Sequence, residues 1–331
     1  MFVGVKAQSP QKRLLVLSWP VCYSLTMHDL IIIGGGPAGL AAAAYAAERQ
    51  LDYLLLSRDL GGKCNYLAGP VEMEDPSQVT AKDIVTIYKS KLECLRHSYR
   101  LETATSISHQ GGVFSVTTDK GGADQSRAVL VATGAGTRRL DVPGELQYLS
   151  RGIGYSACSY SHLFRGKRVF LTGDSDRVLN STIEMSIQAG SVVLSLPTEN
   201  ECSRDLLDYV KTLGCVEVIT DGVVMEFSGG DYATEVLVST PDGERRFSAD
   251  GFFVELETHG NSGLLKDVLK FHGAGYVPVD GSGMTAIPGL FAAGDVTDRS
   301  CCEHVLAALG QGASAMLCVY RYLRRLAAQS N

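Results

Sequence analysis

A glycine-rich turn of the form G-x-G-x-x-G constrains the fold of this chain more than any other feature of its sequence. Gly34, Gly36 and Gly39 follow a short apolar run at 29–33 and precede an alanine-rich stretch of helical character. A second apolar run at 53–56 completes the order strand, glycine turn, helix, strand. The first glycine permits the tight turn, the second lets a diphosphate approach the backbone, and the third lets helix and strand pack closely. The turn is therefore expected to hold a diphosphate on the free N–H groups at the start of the helix.

The same order of elements recurs about 140 residues further along the chain. An apolar run at 168–171 leads to Gly173, a helical stretch at 180–189 follows, and a further apolar run occupies 192–196. The length of 331 residues corresponds to roughly two domains of about 150 residues each. The alternation predicts an α/β protein with two Rossmann-like domains, each built on a parallel sheet.

Composition and charge exclude several classes of function. The chain is 45% apolar and 20% charged, which is typical of a globular protein with a sizeable core. Its formal net charge is −6, and no run of lysine and arginine exceeds two residues, so a nucleic-acid partner is not expected. No stretch reaches the roughly 18 to 20 apolar residues that span a bilayer, so no membrane partner is expected either.

The start of the chain and its cysteines bear on processing and location. Met27 directly precedes the first apolar run, so residues 1–26 are expected to be a non-native or upstream extension; a short signal peptide over 14–25 is the alternative. The nine cysteines are odd in number and spread along the chain, without a C-x-x-C or a metal-type His/Cys spacing. This usage predicts a cytoplasmic protein with no structural metal.

Two further motifs, the first of which has two parts, complete a family pattern. The sequence A-T-G-A occupies 132–135, P-G-E follows at 143–145, and I-P-G-L-F-A-A-G-D-V occupies 287–296. Together with the first glycine turn, these motifs resemble the two-dinucleotide-binding-domain flavoproteins, and among them the low-molecular-weight thioredoxin reductases. The resemblance runs from about Met27 to the C-terminus.

The resemblance implies a domain arrangement and a bound FAD. The FAD domain would be discontinuous, formed by 27–150 and 276–331, with the second domain, 151–275, inserted into it; a homodimer is also implied. Asp295 would hydrogen-bond the ribityl-phosphate region of the flavin. The residues expected to bind FAD are Gly34, Gly36, Pro37, Ala38, Gly39, Ser57, Arg58, Gly62, Thr133, Gly134, Ala135, Gly294 and Asp295.

One FAD-binding position departs from the usual pattern. An acidic residue commonly ends the second strand of such a unit and binds a ribose hydroxyl. Here Ser57 stands there, followed by Arg58 and Asp59. Ribose recognition is therefore expected to be weaker, or to use a hydroxyl or a backbone group.

The second domain departs further from the family. At the two positions of the family's C-x-x-C redox disulfide this chain has Ser156 and Ser159, and hydroxyls do not exchange with disulfides. The second glycine turn keeps Gly173 only, while Asp174 and Asp176 would put negative charge near a pyrophosphate. The arginines that bind the NADPH 2′-phosphate are absent from the segment after the next strand, so poor or no NADPH binding is expected.

Other cysteines could replace the missing dithiol. Cys64 lies in a G-G-x-C segment that, in the related glutathione-reductase-like flavoproteins, supplies a redox cysteine beside the flavin. Cys301 and Cys302 follow the Gly294–Asp295 motif, in a segment that lies against the flavin ring in the family. A redox disulfide between Cys64 and either of them, a vicinal disulfide and inert thiols all remain open. His304 would face the flavin and could donate a proton.

Without NADPH, the flavin needs another electron donor. A ferredoxin is one option, and a second FAD in the degenerate domain is another, as in the cyanobacterial diflavin-linked disulfide oxidoreductases that this chain also resembles. The leading hypothesis is an FAD-dependent, NADPH-independent disulfide oxidoreductase that acts on a disulfide-bearing protein such as thioredoxin. The alternatives are a flavoprotein that passes electrons to ferredoxin or another acceptor without a disulfide, and a non-catalytic FAD-binding protein.

Overall fold

The protein folds into two α/β units, each with a largely parallel central sheet. The structure, a computed structural model, describes residues 27–65, 81–93, 98–270, 273–299 and 303–329. The strands are β1 (Met27–Ile33), β2 (Tyr53–Leu56), β3 (Tyr99–Arg100), β4 (Ala104–Gln110), β5 (Val113–Thr118), β6 (Ala123–Val131), β7 (Ala135–Thr137), β8 (Ile153–Gly154), β9 (Arg168–Thr172), β10 (Ser191–Leu196), β11 (Val216–Thr220), β12 (Val223–Gly229), β13 (Ala233–Thr240), β14 (Gly243–Ser248), β15 (Gly251–Val254), β16 (Thr258–Gly260) and β17 (Leu290–Ala292). The helices are α1 (Pro37–Glu48), α2 (Ala81–Glu93), α3 (Ala157–Tyr160), α4 (Asp176–Gln188), α5 (Arg204–Lys211) and α6 (Val305–Gln329).

The first sheet combines strands from both ends of the chain. Its order is β3-β2-β1-β6-β5-β4, and β17 pairs in parallel with β6. Strands β1, β2 and β6 are also parallel neighbours, while β4, β5 and β6 form an antiparallel edge. Because β17 lies far along the chain, the first unit is built from segments on both sides of the second. The division into 27–150 with 276–331 around 151–275 stays a prediction.

The second sheet is wholly parallel, in the order β11-β10-β9-β15-β8. Strands β12, β13 and β14 form a separate antiparallel sheet, and β7 pairs with β16 where the chain passes between the two units. The predicted α/β class is therefore confirmed. The helix expected over 180–189 begins earlier, at Asp176, where an acidic side chain in the first turn favours the helix dipole.

The apolar run at the start of the first unit forms a strand buried on both faces. Leu30 and Ile32 belong to the core beneath α1, α2 and α6, while Ile31 and Ile33 belong to the core on the opposite face. Covered parallel strands have such continuous apolar sequences. No helix among the described residues is both long and apolar enough to cross a bilayer.

Helices α1 and α6 approach closely because glycine and alanine line their contact. A Cβ added at Gly312 would overlap the backbone carbonyl oxygen of Ala38, one residue after the start of α1. Gly310, on the same helix, is exposed, and a Cβ there would meet nothing within 4 Å. The α1–α6 contact thus fixes the start of α1, where the glycine turn ends.

We predict opposite effects of alanine at these two glycines. Gly312→Ala should lower the free energy of unfolding by about 1–3 kcal/mol, because an over-packed contact must move apart. Gly310→Ala should raise it by about 0.5–1 kcal/mol, since alanine is the better helix former at an open position. Chemical denaturation of both variants tests this; equal stabilisation by both would contradict the close contact.

Candidate functional site

A cavity of about 970 Å³ opens at the carboxyl ends of the first sheet and extends to the second unit. This is where open α/β sheets bind their ligands. The cavity contains every predicted cofactor residue except Gly39, together with Cys64 and His304. Cys301 and Cys302 lie outside the described residues.

The first glycine turn has the geometry of a diphosphate site. Gly34 has φ +111°, and a Cβ there would overlap the carbonyl oxygen of Ala132. Gly39 packs against the Gly34 carbonyl, which explains why it does not line the cavity. At Gly36, the residue that precedes α1, an added Cβ would meet nothing within 4 Å. An open backbone at a helix N-terminus, continuous with a long cavity, fits the diphosphate of FAD.

Ser57 shapes the loop beside this turn. Its hydroxyl donates to the Asp59 carbonyl oxygen at 2.6 Å and accepts from the Gly35 N–H at 2.7 Å. Because a serine hydroxyl has a single proton, its donor capacity is used within the loop. Arg58, whose side chain is 80% exposed, lies at the rim of the cavity.

The turn that carries Cys64 is tied electrostatically to the segment before α6. Lys63 Nζ lies 2.6 Å from Glu303 Oε2 and 3.4 Å from Asp295 Oδ2. Burial raises the pKa of the Cys64 thiol to about 11, and the carboxylate of Asp295 adds to this while Lys63 opposes it. In the protein without cofactor, Cys64 is therefore a neutral thiol at physiological pH.

The two serines at the family's redox-cysteine positions face the same cavity. Ser156 Oγ and Ser159 Oγ are 2.9 Å apart, and Ser159 Oγ donates to the backbone carbonyl oxygen of Glu303 at 2.8 Å. Cys158, between them, instead lies 3.4 Å from Ser181 Oγ on α4 and is not part of the cavity. Burial raises the pKa of its thiol to about 11.

His304 lines the cavity just before α6. Its Nδ1 accepts the backbone N–H of Leu306 at 3.2 Å. In the neutral ring this leaves the proton on Nε2.

The glycine turns of the two units can be compared residue by residue. Ala132 donates its N–H to the carbonyl of Ile33, and Glu255 donates to that of Thr172, both at 2.7 Å. The preceding strand residues pair in the same register in both sheets. Helices α1 and α4 each begin four residues after the last residue of the preceding strand. The equivalent residues are Gly34 and Gly173, Gly36 and Ser175, Ala38 and Arg177, Gly39 and Val178, and Ala132 and Glu255.

The crevice of the second unit is filled by an ion pair. Arg177 Nε lies 2.7 Å from Oε2 of Glu255, which is 1% exposed, and Glu255 also accepts the N–H of Ala157. Arg177 Nη2 donates to the carbonyl oxygen of Tyr155 at 3.0 Å, and Nη1 lies 3.0 Å from Glu303 Oε1. Two small residues of the first crevice are thus replaced by a charged pair that occupies the second.

Sequence reasoning missed Lys63, Arg177, Glu255 and Glu303. Their contacts join residues that are far apart in the chain, so no local motif signals them. Comparing the two glycine turns position by position would have identified Arg177, since alanine stands at its equivalent position in the first unit.

We predict that Gly36→Ala separates cofactor binding from folding. Its φ of −72° accepts alanine and its surroundings are open, so the stability of the protein without cofactor should not change. A methyl group where the diphosphate approaches should weaken FAD binding by at least about tenfold. Flavin absorbance after gel filtration tests this, with Gly214→Ala, another open glycine, as control. Full FAD retention by Gly36→Ala would contradict the assignment.

Two known proteins match most of this chain in sequence. The chain is 29% identical over 307 residues to the F component of alkyl hydroperoxide reductase from Staphylococcus aureus, and 30% identical over 312 residues to its counterpart from Pseudomonas putida. These matches cover 90% and 91% of the chain but 59% of each relative.

Two solved structures match this chain over all or nearly all of their own length. Thioredoxin reductase from Streptococcus pyogenes superposes with a TM-score of 0.81 at 28% identity, covering 91% of this chain and 100% of that one. The enzyme from Giardia duodenalis gives 0.78 at 25% identity, with 90% and 99% covered. The family model for pyridine nucleotide-disulphide oxidoreductases matches residues 28–312. The chain therefore belongs to the pyridine nucleotide-disulphide oxidoreductase family, with a thioredoxin reductase-like fold, as its motifs predicted.

Proposed function

We propose that this protein is an FAD-dependent disulfide oxidoreductase whose redox cysteines are Cys64 and one of the pair Cys301–Cys302. The ion pair between Lys63 and Glu303, at 2.6 Å, carries this proposal. Lys63 is the residue before Cys64, and Glu303 is the residue after Cys302. The ion pair thus joins the turn that carries Cys64 to the residue that follows the other two candidate cysteines in the sequence. A disulfide needs Cα atoms within about 7 Å, which neighbours of a direct ion pair can satisfy.

The chemistry would run through thiol–disulfide exchange. FAD, when bound and reduced by an electron donor, would supply the two electrons that, with two protons, open the protein disulfide to two thiols. One thiolate then attacks a sulfur of the substrate disulfide and forms a mixed disulfide, releasing one substrate thiol. The second thiolate attacks the protein sulfur of that mixed disulfide, which releases the other substrate thiol and restores the protein disulfide.

The residues around Cys64 would control its proton. Burial favours the neutral thiol, while the positive charge of Lys63 favours the thiolate. His304, which lines the same cavity, is the proposed proton donor in its protonated form.

We further propose that the second unit does not bind NADPH. The buried Arg177–Glu255 pair occupies the crevice where a nucleotide diphosphate would approach, and Asp174 and Asp176 add negative charge beside it. The same contacts weigh against a second FAD at that crevice. A one-electron donor protein such as ferredoxin, acting twice per turnover, would then reduce the flavin.

The substrate proposed is a protein disulfide of the thioredoxin type. The structural relatives named above are thioredoxin reductases, and the chain is similar to them over nearly its whole length. The homodimer and the cytoplasmic location remain predictions from the family resemblance and the cysteine usage.

We predict that Cys64→Ser abolishes disulfide reduction without loss of flavin. A hydroxyl cannot form the mixed disulfide, so the rate should fall by at least about a hundredfold. The assay is reduction of a thioredoxin disulfide by the photoreduced holoprotein. The matched control is Cys215→Ser, since Cys215 lies in the second unit with its sulfur 3.6 Å from the Ser186 carbonyl oxygen. Full activity of Cys64→Ser in this assay would overturn the assignment of Cys64 as a redox cysteine.

We predict that NADPH and NADH leave the bound flavin oxidised under anaerobic conditions, because the crevice of the second unit is filled. Reduced ferredoxin should instead bleach the visible absorbance of the oxidised flavin. Stopped-flow absorbance measures both reactions. Rapid bleaching by either pyridine nucleotide would refute the proposed loss of the nucleotide site.

A further inference from the structure

Glu303 receives contacts from four separate segments of the chain, one of them a side-chain hydrogen bond with Thr258. Lys63 Nζ lies 2.6 Å from its Oε2, and Arg177 Nη1 lies 3.0 Å from its Oε1. Ser159 Oγ donates to its backbone carbonyl oxygen at 2.8 Å. Lys63 belongs to the first unit, whereas Arg177 and Ser159 belong to the second. Glu303 therefore links the second unit to the Cys64 turn and to the start of α6.

The carboxylate of Glu303 is held in its charged form. Its side chain is only 10% exposed, and burial alone would raise its pKa, yet Lys63 and Arg177 together hold that pKa below its usual value. Both oxygens thus carry a charge-assisted contact at neutral pH. Such contacts are shorter and stronger than hydrogen bonds between neutral groups.

The two residues of the second unit that contact Glu303, Arg177 and Ser159, are also linked to each other through Glu255 and α3. These interactions form a closed ring. Arg177 is bonded to Glu255, and Glu255 accepts the N–H of Ala157, the first residue of α3. Ser159 lies on the same helix and returns to Glu303, which Arg177 also contacts. The ring fixes the spacing between Arg177 and Ser159, so Glu303 is held at two points of one rigid frame.

We infer that Arg177 and Ser159 are positioning residues. Through Glu303 they hold the part of the second unit that contains them, which we call the roof, against the Cys64 turn. This inference rests on the proposed function for the redox role of Cys64. The neighbouring Tyr160 supports it: its ring lines the same cavity as Cys64, and burial, followed by the charge of the nearby Cys64 thiolate, raises the pKa of Tyr160 to about 12. In this chain the former nucleotide-binding crevice has become the part that holds the redox turn in place.

The test is the rate at which iodoacetamide alkylates Cys64 in the reduced, FAD-loaded protein, measured by mass spectrometry of the Cys64 peptide. Ser159→Ala and Glu303→Gln should each raise this rate by about five- to tenfold, because each removes a contact of Glu303 and loosens the roof. Both variants leave the Arg177–Glu255 pair intact. Arg177→Met is avoided as the main variant, since it would leave Glu255 buried without its partner.

Matched controls come from the same unit. Ser161→Ala removes a hydroxyl two residues from Ser159 whose bonds go to Cys158 and Glu184. Glu199→Gln neutralises a carboxylate paired with Lys211 at the surface. Both should leave the Cys64 alkylation rate within about twofold of the unmodified protein. Similar rates in the test and control variants would overturn the inference.

Hydrogen exchange supplies a second readout that does not depend on redox chemistry. Ser159→Ala and Glu303→Gln should speed amide exchange in both α3 and the first turn of α6, which lie on opposite sides of the attachment. Faster exchange in α6 alone would overturn the roof. If Cys64→Ser retained disulfide reduction, the proposed function would fail. The alkylation and hydrogen-exchange experiments would still show whether Ser159 and Glu303 hold the roof against the Cys64 turn.

Discussion

The buried pair of Arg177 and Glu255 is the interaction on which the arrangement of this protein depends. Removing two charges from water is costly, and the cost is offset only where geometry and further hydrogen bonds are good. Here Glu255 has two donors, and the guanidinium of Arg177 continues to Tyr155 and to Glu303. The pair therefore lies in the crevice of the second unit, and its arginine also contacts Glu303, which precedes α6 of the first unit. Loss of Arg177 would leave Glu255 buried without its charged partner, a change that costs about 3–5 kcal/mol.

The two units show how different side chains can line the crevice of a shared backbone geometry. The strand registers and the helix starts agree, and Gly173 stands in the second unit where Gly34 makes the tight turn of the first. Alanine at positions 38 and 132 leaves the first crevice open, whereas arginine and glutamate at the equivalent positions fill the second. The function of each crevice is thus decided by side chains on a common frame, not by the fold.

The sequence predicted the architecture because its strongest signals are local. A glycine turn between an apolar run and a helix specifies the unit whatever the rest of the chain does. The cofactor residues expected outside this turn are implied by the family resemblance. The contacts of Glu303 with Lys63 and Arg177 could not be predicted, because each joins segments separated by more than a hundred residues. The helix start at Asp176 was also missed, since charged residues next to a degenerate turn look like loop. Cys301 and Cys302 lie outside the described residues, so their pairing with Cys64 stays a prediction.

The measurement that tests the central claim most directly is disulfide mapping of the oxidised holoprotein. Unreduced protein would be alkylated, digested and analysed by mass spectrometry before and after reduction. The account predicts a peptide that contains Cys64 linked to the peptide that carries Cys301 and Cys302, and loss of that species on reduction. Alkylated Cys64 in fully oxidised protein, with either free thiols or a vicinal bond at 301–302, would contradict the claim that the redox centre has moved from the second unit to the Cys64 turn.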